Sequence, residues 1–420
     1  MRRALAGLTT RGRSFVAAGA TAITCAFVLG ERDLLRAGVL VLVLPLLCTL
    51  AVARTRYRLA CARRLAPARL PVGRESRIDL RLENVSRLPS GLLMVEDRIP
   101  YALGGRARFL IDRIEPQGAR ELRYRVRSDV RGRYRVGPLT VRLTDPFGMV
   151  ELVRSFSAAD SLTVTPEVVP LRPGRLSGAW TGGGDSLARA VAAAGEDDVA
   201  PRDYRHGDDL RRVHWRSTAR RGELMVRREE QHWQSSGTLF LDTRRKAHLG
   251  DGPGGTFERA VSVTASIGVH LVRTGMRLRY VTDGGEELPA ASADGAFEGL
   301  LLDSLAVVRR STGSALPVEA LAAGPGGGER GGLVIAVFGA LSAEDAGTVA
   351  ARWRGATRVA VLVGDGRADE AAAGAAADVP ASRRAADLLR AGGWRVVTVR
   401  TAAELAEAWG RAGEDPARTG

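Results

Sequence analysis

Two stretches near the start of the chain, Ser14–Gly30 and Ala37–Ala53, contain no charged residue, and only a short turn carrying Glu31, Arg32 and Asp33 separates them. Each is 17 residues long, which as helix spans about 25 Å, a little short of a ~30 Å hydrocarbon core. Flanking arginines can snorkel to make up the difference. A cleaved signal peptide fits poorly, because the second run follows at once and no A-x-A site lies between them. Cys25 lacks the small preceding residue of a lipidation site, since Thr24 stands there. Residues 1–56 therefore read as a membrane anchor of two transmembrane helices, with the lipid bilayer as its first partner.

The position of the charge agrees. The chain carries 62 Lys+Arg against 47 Asp+Glu, a net +15, and residues 1–64 hold eleven arginines against Glu31 and Asp33, so +9 of the excess flanks the apolar runs. Both ends of the hairpin are Arg-rich and its turn is nearly neutral. The positive-inside rule then predicts a multi-pass cell-membrane protein with both termini and the soluble domains in the cytoplasm. In that reducing compartment Cys25, Cys48 and Cys61 need no partners.

The rarer residues exclude several chemistries. Lys246 is the single lysine and no G-x-x-x-x-G-K-[ST] surrounds it, so a P-loop NTPase is out. No cysteine lies beyond Cys61, which removes a cysteine nucleophile from the soluble part.

With 420 residues, two or three domains are expected. Over residues 57–170 the pattern has period two. Ile78, Leu80 and Leu82 alternate with Arg77, Asp79, Arg81 and Glu83, while Leu122, Tyr124 and Val126 alternate with Arg123, Arg125 and Arg127. Tyr134, Val136, Leu139, Val141 and Leu143 continue it. Turns at Asn84-Val85-Ser86, Gly104-Gly105, Arg131-Gly132 and Asp145-Pro146 divide the runs. This predicts an antiparallel β-sandwich-like domain, with its outward arginines solvating the sheet. Residues 171–236 form a linker and a charged segment, loosened by the Gly/Ser-rich stretch Leu176–Asp185. From residue 237 to 412, strand patterns at Thr238–Leu241, Arg277–Val281, Leu333–Phe338, Val359–Val363 and Arg395–Val399 alternate with helical ones, such as Phe257, Val261, Ala265 and Val269 on one face. That predicts a C-terminal α/β domain with a mainly parallel sheet. Residues 413–420 read as a flexible tail.

The segment 202–230 holds the densest chemistry. Asp208 can cap a helix over Asp209–Ala219 that Gly222 ends, with Leu210, Val213 and Ser217 inward, and Glu223–Glu230 leaves as a strand. Its arginines interleave with Asp203, Asp208, Asp209, Glu223, Glu229 and Glu230, which suits Arg–carboxylate forks better than a phosphate groove.

This segment closely resembles the signature of the DUF58 family through Arg202, Tyr204, Gly207, Asp208, Arg211, His214, Trp215, Ala219, Arg220, Leu224, Val226 and Arg227, with Val213 in place of the usual isoleucine. The run Arg131-Gly132, Tyr134, Gly137-Pro138 and Asp145-Pro146-Phe147-Gly148 resembles the family's upstream turn motif. The resemblance implies a two-helix anchor, a β-rich domain and a von Willebrand A-like domain. It also implies a MoxR-type AAA+ ATPase as partner and a transglutaminase-like membrane protein as neighbour. Residues Arg202, Tyr204, Gly207, Asp208, Arg211, His214, Trp215, Ala219, Arg220 and Arg227 then form an interaction or domain-coupling motif.

Von Willebrand A domains often bind Mg²⁺ through D-x-S-x-S, and hydroxyls with one carboxylate suit a hard cation. Here the stretch is Asp242-Thr243-Arg244-Arg245-Lys246, with cations at both serine positions, and Leu333–Phe338 is followed by Gly339-Ala340 where the distal Asp belongs. Asp283 follows the second strand. Asp242 is thus the one candidate metal ligand, and no cofactor is expected.

Three functions compete. The first is a non-enzymatic, membrane-anchored adaptor or scaffold. The second is a hydrolase using His206, His214, Asp208 and Asp209, which lacks an H-E-x-x-H or G-x-S-x-G setting. The third is binding of nucleic acid or anionic lipid by Arg205, Arg211, Arg212, Arg216, Arg220 and Arg221 around Trp215. Interspersed acids repel phosphate and a membrane anchor makes DNA an awkward partner, so no nucleic acid is expected. The reading is an adaptor, with no catalytic residues.

Overall fold

The computed structural model describes residues 7–54, 59–145, 147–172, 202–203, 215–226, 236–291, 295–316, 333–352, 357–364 and 378–411. The Gly/Ser-rich stretch Leu176–Asp185, residues 204–214 and the tail after 411 lie outside them. Two compact units divide the chain: residues 1–166 with 303–307, and residues 167–302 with 308–420.

In the first unit, the Thr9 hydroxyl accepts the Gly12 amide at 3.2 Å and so caps α1 (Thr10–Leu29), while α2 spans Arg32–Arg54. Both outgrow the uncharged runs, because the arginine-bearing ends are helical as well. At 20 and 23 residues they reach about 30 and 34 Å. With mean hydropathies of 1.5 and 2.0 they are long and apolar enough to cross a membrane. They pack against each other where Gly19 meets Leu42 and Gly38 meets Ile23. Phe27, Leu40 and Leu47 face outward.

Ten strands follow: β1 (Leu59–Ala66), β2 (Arg69–Pro71), β3 (Glu75–Asn84), β4 (Leu93–Asp97), β5 (Ala107–Ile111), β6 (Ala119–Arg127), β7 (Gly132–Val136), β8 (Leu139–Thr144), β9 (Glu151–Phe156) and β10 (Asp160–Thr165). They form sheets of order β1-β3-β6, β2-β10-β7 and β5-β4-β8-β9, antiparallel except for β2 beside β10. The period-two residues behave as alternation requires. Ile78, Leu80, Leu82, Val126, Val136, Leu139, Val141 and Leu143 are all buried in one core. One joint ties this unit to the helices. Leu8 bridges to Val150, the Thr9 amide donates to the Met149 carbonyl at 2.9 Å, and the Glu151 amide donates to the Gly7 carbonyl at 2.8 Å.

The second unit carries the short β11 (Arg202–Asp203), α3 (Trp215–Arg221) and β12 (Met225–Val226), with β11 and β12 paired antiparallel. Its main sheet comprises β13 (Ser236–Leu241), β14 (Arg277–Thr282), β15 (Glu287–Ala291), β16 (Leu333–Phe338), β17 (Thr357–Val363) and β18 (Arg395–Val399), ordered β15-β14-β13-β16-β17-β18. Every neighbouring pair is parallel except β14 with the edge strand β15. The helices are α4 (Thr256–Arg273), α5 (Gly295–Val307, of which 303–307 count with the first unit), α6 (Ala343–Arg352), α7 (Asp378–Ala391) and α8 (Ala402–Arg411). All six residues of β16 are buried, the continuous apolar strand of a sheet covered on both faces. The predicted strands appear with their boundaries nearly unchanged; β15 is the addition, short and antiparallel.

Candidate functional site

Two places attract functional attention: the signature segment and the ends of the parallel strands. Of the signature residues, Tyr204, Gly207, Asp208, Arg211, His214 and Arg227 lie outside the described residues. Arg202 pairs with Val226 in the β11–β12 ladder. Trp215, Ala219 and Arg220 sit on α3, which the Gly222 amide closes by donating to the Thr218 carbonyl at 2.8 Å. The Met225 amide donates to the Thr218 hydroxyl at 3.0 Å and Met225 is buried, so the turn after α3 is fastened inward. Trp215 is 70% exposed. It stands as an aromatic surface residue; the packing expected of the adjacent His214 falls outside the described residues.

The second place is the crevice where the chain reverses its winding. β13 runs first, β14 is laid on one side and β16 on the other, and such switch points are where doubly wound sheets take ligands. Here the protein fills the crevice itself. Asp242 follows β13 and is fully buried. Its Oδ1 accepts the Arg244 backbone amide at 3.1 Å and Nε at 2.9 Å, and its Oδ2 accepts Nη2 at 2.9 Å. The third guanidinium nitrogen, Nη1, donates to Asp345 at 3.0 Å. Burial alone would lower the pKa of this arginine, but the bonds and attraction of Asp242 and Asp345 outweigh it and keep the guanidinium charged. Asp345 is delivered by the first turn of α6, where its amide donates to the capping Ser342 hydroxyl at 3.0 Å.

A short turn, Arg245–Ala247, folds over this ion network. The Ala340 amide donates to the Ala247 carbonyl at 2.7 Å, and Gly339 lies so close to that carbonyl and to His248 that any side chain there would collide with both. His248 Nε2 is 2.7 Å from the Asp242 carbonyl; a carbonyl only accepts, so Nε2 carries the proton. Burial lowers the His248 pKa and favours this neutral form. Asp283 is also engaged: it accepts the Thr243 amide, the Thr243 hydroxyl at 2.7 Å and the Ser311 hydroxyl.

The von Willebrand A-type Mg²⁺ site therefore does not fit these residues. The Asp242 carboxylate that would ligate the ion is saturated by a guanidinium, and no hydroxyl stands at positions 244 or 246. The cation that balances Asp242 is part of the chain. Arg244 was visible in the sequence as a cation at a serine position; its third contact, Asp345, lies about a hundred residues away and is brought in by α6.

A second buried network, in the β unit, was not singled out from the sequence. Arg63 Nε and Nη2 fork onto Asp97 at 3.1 and 2.6 Å, and Nη1 reaches Asp160 at 3.0 Å. The Tyr124 hydroxyl donates to Asp97 at 2.6 Å, and burial together with that bond raises the phenol pKa. The signal was present: Arg63 shares the inward phase of Leu59, Cys61 and Leu65, and Asp97 that of Leu93 and Val95.

The class is thus defined by its parts: a pair of long apolar helices joined to an antiparallel β unit, followed by a doubly wound α/β unit whose switch point is neutralised from within. Residues 200–376 match the family described as "Protein of unknown function DUF58". No curated protein matches the chain. Among solved structures, the CARDB domain of a Pyrococcus furiosus protein, crystallised with di-metal ions, is 15% identical over 26% of this chain and 90% of its own, with a TM-score of 0.20. A chain of the human seminal-plasma complex of zinc 2-glycoprotein and prolactin inducible protein is 9% identical over 26% of this chain and 98% of its own, TM-score 0.20. A FixG-related protein from Vibrio parahaemolyticus is 9% identical over 25% and 95%, TM-score 0.18. Likenesses this partial carry no argument about function.

Proposed function

We propose that the protein is a membrane-anchored, non-enzymatic adaptor whose α/β unit, von Willebrand A-like, is presented in the cytoplasm to a MoxR-type AAA+ ATPase. The observation that carries the proposal is the self-filled switch point: where a doubly wound unit would receive a ligand or ion, Arg244, Asp242, Asp345 and the Arg245–Ala247 turn occupy the space. A unit built this way offers its outer surface to another protein. The strand order with one antiparallel edge supports the von Willebrand A-like reading. The arginines around the helices support cytoplasmic orientation. Family resemblance supplies the partner class. Trp215 and Arg220, both exposed on α3, are residue types that anchor protein contacts.

Affinity capture of the full-length protein from its native membranes, with ATP or ADP present and the captured proteins identified by mass spectrometry, tests the reading. Recovery of a MoxR-type ATPase in one nucleotide state, lost in a folded Asp208→Ala or Trp215→Ala variant, is the expected result. Repeated recovery of no ATPase with intact, folded protein rejects it.

A further inference from the structure

The turn motif at Asp145–Gly148 has no place in the adaptor reading, yet it sits at the junction between the apolar helices and the β unit. Asp145 organises it: its carboxylate accepts the Phe147 amide at 3.0 Å and the Val150 amide at 2.6 Å. Gly148 and Met149 then receive the start of α1. The Thr9 hydroxyl donates to the Gly148 carbonyl at 2.7 Å, and Gly12 rests on the Met149 carbonyl so closely that a side chain there would collide with it. Leu8, Phe15, Leu44 and Cys48 pack on Met149 and Val150, so both helices touch the same turn. With its own carboxylate and backbone committed inward, the turn holds Phe147 outward at 55% exposure.

The neighbouring loop at this end has the same character. Leu59, the first residue of β1 and five residues beyond α2, pairs with Asn84 at the end of β3. Asn84 is fully buried, and its amide donates to the carbonyls of Leu88 at 2.8 Å and Ile114 at 3.1 Å. That bonding pins a loop on which Val85, Leu88 and Leu92 are all exposed, Leu88 at 56%. The Thr144 amide, next to the Asp145 turn, donates to the Leu92 carbonyl, so the two loops are joined. Arg11, Arg13 and Arg87 are exposed near these loops, as are two acids, Asp112 and Glu115, the latter paired with Arg113. Four large apolar side chains from rigidly bonded loops, with three exposed arginines in the same segments, thus gather at the end of the β unit from which the helices leave.

We infer that this rim is seated in the headgroup layer of the membrane, with Phe147, Val85, Leu88 and Leu92 reaching the acyl boundary and Arg11, Arg13 and Arg87 meeting lipid phosphates. The occupant is fixed by continuity: the rim is hydrogen-bonded to the first turn of α1, so wherever the helices enter the bilayer the rim lies at its surface. Apolar side chains flanked by arginine form the composition that binds such interfaces. The inference rests on the membrane-anchored reading. It adds that the β unit is clamped to the membrane and does not hang from it on a tether.

The test uses the full chain in vesicles of phosphatidylethanolamine and phosphatidylglycerol, with the photoreactive residue p-benzoylphenylalanine placed in turn at Phe147, Leu88, Tyr101 and Leu40. Tyr101 is 95% exposed beyond the far end of β4 and serves as the aqueous control, and Leu40 in α2 as the membrane control. Irradiation followed by mass spectrometry is expected to find phospholipid adducts at positions 147, 88 and 40 and none at 101. Adducts at 40 with none at 147 and 88, or equal adducts at 147 and 101, overturn the rim while leaving the anchor. Absence of adducts at 40 overturns the anchor itself.

Discussion

Arg244→Met removes the internal cation of the switch point while keeping a side chain of similar length. Asp242 is fully buried and would lose both guanidinium bonds, leaving a carboxylate with one backbone donor in a dry site. Breaking one partner of a buried ion pair costs about 3–5 kcal/mol, because the remaining charge is uncompensated. For a unit of this size each kcal/mol shifts Tm by roughly 2–4 °C, so a fall of about 6–20 °C is expected. Replacing both partners, as Asp242→Asn with Arg244→Met, should recover most of the loss, since an apolar or neutral pair avoids the orphaned charge. Arg244→Lys should recover little, because one ammonium cannot serve Asp242 bidentately and reach Asp345 as well. Thermal unfolding of the detergent-solubilised full chain, followed by tryptophan fluorescence, reads this directly, as Trp394 and Trp409 are buried in the same unit. Addition of Mg²⁺ or EDTA should leave the wild-type transition in place. An Arg244→Met protein within about 1 kcal/mol of wild type, or a wild type that loses stability in EDTA, would refute the self-contained ion network.

The buried neutral His248 makes a pH prediction: its folded pKa lies below the ordinary 6.5, so the unfolded chain takes up the proton first. The stability it supplies is complete above pH 6.5 and is lost as pH falls below that value. Denaturant titrations of His248→Gln should show a flatter profile there, with the remaining slope owed to His270, whose pKa burial also lowers. In the β unit, Tyr124→Phe deletes one hydrogen bond to the buried Asp97 carboxylate and should cost about 1.5–3 kcal/mol in urea unfolding. Asp97→Ala strands Arg63 and should cost about 3–5 kcal/mol; equal effects of the two would show that the fork is not formed. Gly12→Leu cannot coexist with the Met149 carbonyl in place. It should raise hydrogen exchange at the Thr9 and Glu151 amides without unfolding the β core, and unchanged protection there would argue against the joint.

The sequence by itself determined the local architecture. Seventeen-residue uncharged runs read as apolar helices of near-bilayer length, and period-two alternation names both the strand and its inward face. Hence Ile78, Leu80 and Leu82 were legible as core, and the strands at Leu333–Phe338 and Arg395–Val399 as elements of a parallel sheet. Even the buried Arg63 and Asp97 of the β unit were written in the pattern, since both fall in the apolar phase of their strands. What they pair with was not, because a phase gives direction and no partner. The switch point shows the same division more sharply. Asp242 and Arg244 are neighbours in sequence, and two residues of opposite charge at that spacing are most often a solvated pair. Only the tertiary structure places β16 and α6 beside β13, buries both side chains and brings Asp345 to the third guanidinium nitrogen. The Asp145–Gly148 turn was legible as a turn, but its task of holding the first turn of α1 joins residues about 140 apart. Local physics acts through spacing along the chain. Partner choice inside a low-dielectric core is decided by which elements the fold stacks together.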